Sequence, residues 1–132
     1  MNGLFLSSGM AGSGSKTTGR LIQVVEIVRK KYGFGGSIHL KVMPGTEYQY
    51  VETAHRLGTR LSVNIKTSTA DMMRKLSAMK DCDRDILAPM RWIDRLNRGR
   101  SNGAVGQSTQ TVVGAADQSD LDIFRRMDQL YT

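Results

Sequence analysis

Cysteine is almost missing: Cys82 is the only one in 132 residues. No intramolecular disulfide can form, which excludes a small secreted scaffold stapled by bridges. Long apolar runs are missing too, and nothing approaches the roughly 20 residues that a membrane helix requires. The opening Met1-Asn2-Gly3-Leu4-Phe5-Leu6 lacks a basic leader and is far shorter than a signal core. No membrane partner is expected, and the cytoplasm is the expected compartment by elimination. Histidine is scarce, with only His39 and His55, and neither has carboxylate or cysteine neighbours at ligand spacing. No metal site is therefore expected. A Gly-x-Ser-x-Gly elbow is absent, which removes the hydrolase arrangement that depends on it.

Acidic residues are in deficit. Twelve Asp and Glu face 19 Lys and Arg, for a formal charge of +7. That surplus favours loose association with polyanions at low salt, but the basic residues are scattered and specify no partner. The otherwise ordinary composition, 39% hydrophobic and 23% charged, suits one globular unit.

What is present alternates short apolar runs with amphipathic stretches. Gly3 to Ser7 reads as a strand, followed by a glycine-rich loop from Gly9 to Gly14. Leu21, Val24, Val25 and Val28 recur at helical spacing, with Arg29, Lys30 and Lys31 in the last turn and Gly33 as the stop. Ser37 to Met43 is a second strand ended by Pro44-Gly45, and Tyr50, Val51, Ala54 and Leu57 mark a second helix face. Arg60 to Ile65 is the third strand. Thr69 can cap a helix running through Met72, Met73 and Leu76, and a further helix covers Asp85 to Asn97, broken or kinked by Pro89. After a polar loop from Arg98 to Gly106, Ser108 to Val113 forms the fourth strand, ended by Gly114. Leu121, Ile123, Phe124, Met127 and Leu130 supply the last helix, capped by Ser119 or Asp117. The order predicts an α/β fold of four parallel βα units with right-handed crossovers. Four parallel strands make a small sheet, and the chain begins inside a strand and ends on a helix. Either a second copy is expected to close the sheet, or the chain is a piece of something larger.

Ligands of parallel α/β folds gather where strands end at their carboxyl termini. That rule singles out Ser7-Ser8-Gly9, Lys41 through Gly45, Asn64 through Thr67, and Val113-Gly114-Ala115; the alternative is that Gly and Pro merely end strands there. Gly9 and Gly14 have the separation of a phosphate-binding loop, but Ser15 stands where the lysine belongs and Lys16-Thr17-Thr18 follows one residue late. Nucleotide binding by that loop competes with a plain flexible connection. Arg91, Arg95 and Arg98 form a stripe at i, i+4, i+7, with Trp92 and Arg100 nearby. They can touch a nucleic-acid backbone or form a solvated face that Asp94 interrupts. Cys82 lies among charged, partly acidic neighbours, which suits an unreactive exposed thiol. The eight methionines are expected to fill gaps between helices and sheet.

Four segments follow one another in order: Gly-Leu-Phe-Leu-Ser-Ser-Gly (3–9), Gly-Phe-Gly-Gly-Ser-Ile-His-Leu-Lys-Val-Met-Pro-Gly (33–45), Leu-Ser-Val-Asn-Ile (61–65) and Gly-Gln-Ser-Thr-Gln-Thr-Val-Val-Gly-Ala (106–115). With Ile86 to Met90 and Gln118 to Asp120, this series resembles the radical S-adenosylmethionine proteins of the DNA modification/repair family, a bacterial family linked to a uracil-DNA-glycosylase-like partner. The resemblance implies a partial (β/α)6 barrel, an S-adenosylmethionine cofactor, and a [4Fe–4S] cluster held by three cysteines after the first strand. The four strands here would be the second to fifth of such a barrel, so 1–132 is expected to be a fragment of one. By the same resemblance, Ser7, Ser8 and Gly9 would meet the methionine amino group, and Asn64 the ribose or carboxylate. Val113, Gly114 and Ala115 would pack beside adenine, and Lys41 would face a carboxylate or phosphate at the barrel mouth. The chain departs from the pattern in two places. It has no Cys-x3-Cys-x2-Cys, and Lys66-Thr67-Ser68 stands where an acidic residue and Leu-Pro are usual. Cluster chemistry by this polypeptide alone is not expected.

Overall fold

A computed structural model describes residues 2–65, 83–113 and 119–131, with the backbone alone for Asp83 and Tyr131. The expected helix at Thr69 to Leu76, together with Lys66, Thr67, Cys82, Gly114, Ala115 and Asp117, lies outside the described residues. Strand β1 (Gly3–Leu6) leads to helix α1 (Gly14–Lys30), β2 (Ser37–Lys41), α2 (Tyr48–Leu57) and β3 (Arg60–Ser62). A π-helical turn (Asp83–Leu87) then runs into α3 (Ala88–Arg98), followed by β4 (Gly106–Ser108) and α4 (Asp120–Tyr131).

The strands form one parallel sheet in the order β1-β2-β3-β4. Alternation along each strand sends every second side chain to the same face. Ile38, Leu40, Val42, Leu61, Val63 and Ile65 are fully buried and pack with Leu21, Ile22 and Val25 of α1, Val51 and Ala54 of α2, Ile86, and Ile93 of α3. The core therefore lies between the sheet and a helix layer on one side. Among the described residues the sheet is not closed, and β1 and β4 are its edges.

Helix α1 starts where Ser13 accepts the Lys16 N–H on its hydroxyl at 3.1 Å. Its buried stripe is Thr17, Thr18, Leu21, Ile22 and Val25. Val24, expected on the apolar face, is exposed. The stripe is turned because Thr18 is pulled inward by a buried ring of hydrogen bonds. The Met43 N–H donates to Thr18 Oγ1 at 3.0 Å, Thr18 donates to Thr46 Oγ1 at 2.9 Å, and Thr46 donates to the Met43 carbonyl at 2.6 Å. Past the C-terminus, Gly33 takes a φ of 61°, and the Arg29 guanidinium ties the carbonyls of Phe34 and Gly36 at 2.6 and 2.7 Å.

The stretch expected as a helix from Asp85 to Asn97 is broken near Pro89 as anticipated: a π-helical turn ends at Leu87 and α3 begins at Ala88, with Pro89 in its first turn, where its missing N–H costs nothing. Two expected boundaries shift. The third strand leaves the ladder after Ser62, although its alternation of buried residues continues to Ile65. The fourth strand is Gly106–Ser108, not Ser108 to Val113. Thr109 explains both changes: its hydroxyl donates to the Val63 carbonyl at 2.7 Å and accepts the Ile65 N–H at 3.0 Å, in place of main-chain pairing. Val112 and Val113, whose β-branching suggested strand, are left exposed. Helix α4 opens on a reciprocal cap between Ser119 and Asp122. Leu130 packs at the margin of the core, while Leu121, Phe124 and Met127 stay exposed.

Candidate functional site

The carboxyl ends of the strands form one rim. Ser7, Ser8 and Gly9 directly follow β1, and the Ser8 hydroxyl donates to the Gly9 carbonyl at 2.7 Å. A Cβ placed on Gly9 would meet nothing within 4 Å, so open space adjoins this backbone. Lys41 ends β2 opposite Ser62 of β3, and Ser62 is opposite Ser108 of β4. Asn64 lies two residues beyond Ser62, and its amide donates to Gln110 Oε1 at 3.2 Å. The sheet thus brings Ser7 to Gly9, Lys41 and Asn64 to the same rim. Val113 is 71% exposed, five residues past the end of β4.

Below this rim, none of the described helices packs on the second face of the sheet, where Ser62 and His39 Nε2 are nevertheless buried. Phe5, His39, Arg60 and Gly106 are paired in sequence across β1 to β4, so they share that face. The rings of Phe5 and His39 are 4.6 Å apart. Burial holds the His39 imidazole below its ordinary pKa, and the neighbouring Arg60 charge adds to that. His39 lies on the face away from the described helices, with its Nε2 buried. Phe5 and Arg60 were not singled out from the sequence. The signal was available, since both stand out of phase with the core residues of their strands.

The other candidates lie elsewhere. Arg91, Arg95 and Arg98 project from α3, within the helix layer, and Arg98 Nη2 is paired with Asp94 at 2.8 Å. Trp92 packs edge-on against Tyr48 at 5.6 Å. In the glycine-rich loop, the Thr17 hydroxyl donates to the Ser13 carbonyl at 2.9 Å and accepts the Ala11 N–H at 3.0 Å, while Thr18 belongs to the buried ring. Neither hydroxyl points to an open phosphate position. A cleft of about 470 Å³ lies at the opposite, amino end of the strands among Arg29, Arg56 and Arg100, and a groove of about 480 Å³ runs between α1 and α2 beside Lys16, Arg20 and Tyr50. Among the described residues no group of three His, Cys, Asp or Glu side chains could hold a metal ion. No helix among them is long and apolar enough to cross a membrane.

Comparison with protein-family models, curated proteins and solved structures finds no match. The reading of the site rests on its geometry and on the segments at the rim.

Proposed function

We propose that this chain is the middle portion of a radical S-adenosylmethionine barrel of the DNA modification/repair type, contributing part of the cofactor pocket. The observation that carries the reading is the winding. A parallel sheet in strict sequential order, with its described helices on one face, is the winding of a barrel, whose closure covers the other face. An open doubly wound sheet would reverse its strand order and cover both faces.

The residues fit the two cofactors of that chemistry unequally. A [4Fe–4S] cluster requires three thiolates from one loop, and Cys82 alone does not fit it, so no cluster-dependent step is assigned to this chain. The pocket for S-adenosylmethionine is better supported. The open backbone at Ser7, Ser8 and Gly9 can take the polar amino-acid end, and Lys41 and Asn64 stand on the same rim to meet carboxylate or ribose. Val113, Gly114 and Ala115 would approach adenine. S-adenosylmethionine, when bound beside a cluster, supplies a carbon radical that abstracts hydrogen. The cluster cysteines would come from another segment of the parent protein, in a cytoplasmic setting where thiols stay reduced.

The test is direct titration of S-adenosylmethionine into the chain by calorimetry. Saturable binding is expected, lost on Gly9→Val. The open space beside Gly9 accommodates the new side chain without disturbing the fold, so the melting temperature stays unchanged. Undiminished binding by Gly9→Val, or none by the parent chain, overturns the reading.

A further inference from the structure

The amino ends of the strands carry a site of their own. Arg29 from the last turn of α1, Arg56 and Arg100 line the cleft of about 470 Å³ there, together with Asn102 and Gly103. No Asp or Glu lines it, and among the described residues no ion pair engages any of these arginines. Like charges gathered without a carboxylate repel one another, and an anion between them relieves that cost. Arg29 is already fixed in place. Its Nη1 donates to the Phe34 and Gly36 carbonyls at 2.6 and 2.7 Å, which leaves its other N–H groups for a ligand. The loop between α3 and β4 is held too. The Asn97 carbonyl accepts the Arg100 N–H at 3.2 Å, and the Asn97 side chain bonds the Val105 N–H and carbonyl at 2.9 and 3.0 Å. Between those anchors Gly103 takes a φ of 85°, and the N–H groups of Ser101 to Ala104 find no acceptor among the described residues. A Cβ on Gly103 would meet nothing within 4 Å, so open space adjoins this backbone. Ile65 and Val113, the last residues described before 66–82 and 114–118, lie beyond the carboxyl ends of β3 and β4, at the other end of the sheet. Closing the sheet adds strands beside β1 and β4, whereas this cleft is built from connections between them.

Guanidinium groups match phosphate with paired, charge-assisted hydrogen bonds, and free backbone N–H groups add further donors. Converging cations call for more than one negative charge. A terminal phosphate carries about −1.5 to −2 near neutral pH, against a single charge on an internal phosphodiester. No aromatic ring lines the cleft, so nothing there stacks on a base and the phosphate itself is what is read. We propose that the cleft at the amino end of the sheet binds a terminal phosphate group, gripped by Arg29, Arg56 and Arg100 and by the amides around Gly103. The group belongs either to a small phosphate monoester or to the phosphorylated end of a nucleic-acid strand. This site shares no residue with the rim proposed for S-adenosylmethionine, nor with the arginine stripe of α3.

The experiment titrates the full chain with ribose 5-phosphate, with 5′-phosphorylated hexathymidylate, and with the same hexamer ending in a 5′-hydroxyl, following the Asn102 and Gly103 amide resonances by NMR. Saturable shifts are expected with both phosphorylated probes. The 5′-hydroxyl hexamer should bind at least about tenfold more weakly than its phosphorylated form, the loss typical of a charge-assisted hydrogen bond. Arg56→Gln and Arg100→Gln should each weaken ribose 5-phosphate binding about tenfold. Arg125→Gln, which removes the same charge from α4, should leave it unchanged. Arg56 and Arg100 are exposed, so circular dichroism should show an unchanged fold in both variants. If the phosphorylated hexamer binds more than about tenfold tighter than ribose 5-phosphate, the ligand is a strand end whose further phosphates add to the grip. Comparable affinities identify a small phosphate monoester. Unmoved Asn102 and Gly103 resonances, equal binding of the 5′-hydroxyl hexamer, or an equal loss on Arg125→Gln overturns the proposal. Because these variants leave Gly9 intact, failure here leaves the S-adenosylmethionine titration undisturbed.

Discussion

Two glycines at either end of the β1–α1 connection meet opposite surroundings. A Cβ on Gly14 would overlap the carbonyl oxygen of Pro44 and stand 2.9 Å from its carbonyl carbon, because the β2–α2 loop packs directly on the start of α1. Backbone cannot retreat as a flexible side chain can. Gly14→Ala should therefore destabilise by about 1–3 kcal/mol, as overpacked sites do, measured by urea denaturation. Gly9, with open space beside it, should tolerate substitution and show an effect only in ligand binding. His39 offers a pH test at the same scale. Its pKa is depressed when folded, so the unfolded chain takes up a proton first as pH falls through about 6.5. Stability is undiminished above that value and declines as pH falls toward the folded-state pKa. NMR titration should place the His39 midpoint below 6.5, and Arg60→Gln should raise it only part of the way, since burial is the larger cause.

Elements are joined here by side-chain hydroxyls and amides as much as by apolar packing. The ring formed by Thr18, Thr46 and Met43 fastens α1 to the loop between β2 and α2, with each hydroxyl donating once. Thr18→Val keeps the shape but strips a buried acceptor from the Met43 N–H. An orphaned buried donor costs about 1–3 kcal/mol, so the melting transition should fall while the spectrum of the folded state is retained. Asn97 serves the other end of the sheet. Its carbonyl oxygen accepts the Val105 N–H at 2.9 Å and lies 2.9 Å from His55 Nε2, and its amide donates to the Val105 carbonyl at 3.0 Å. That clamp joins α2, α3 and the approach to β4, which helps a strand of three residues hold its place.

At the scale of the whole molecule, the described helices all pack on one face of the sheet, and both edges are unpaired among the described residues. This asymmetry underlies the barrel proposal. It also sets a limit on the chemistry: a cluster anchored by three thiolates cannot assemble on a chain whose one cysteine is Cys82. Anaerobic incubation of the isolated chain with iron and sulfide should yield no iron–sulfur absorption after desalting. A stable band would mean that the cluster ligands have been misread.

The sequence by itself determined the α/β class, the order of strands and helices, and most of the core, because these follow from hydrophobic periodicity within short windows. Ile38, Leu40, Leu61 and Val63 alternate as a sheet with one buried face must, and the Ser119 cap of α4 is likewise local. The rim was legible too, since Ser7 to Gly9, Lys41 and Asn64 stand where strands end. Only the tertiary structure decided that Thr109 would replace main-chain pairing and end β4 early, that Thr18 would turn the face of α1, and that Phe5, His39 and Arg60 would meet in one row. Each of these depends on register between segments dozens of residues apart, and a pairing across strands leaves no periodic mark along any one of them.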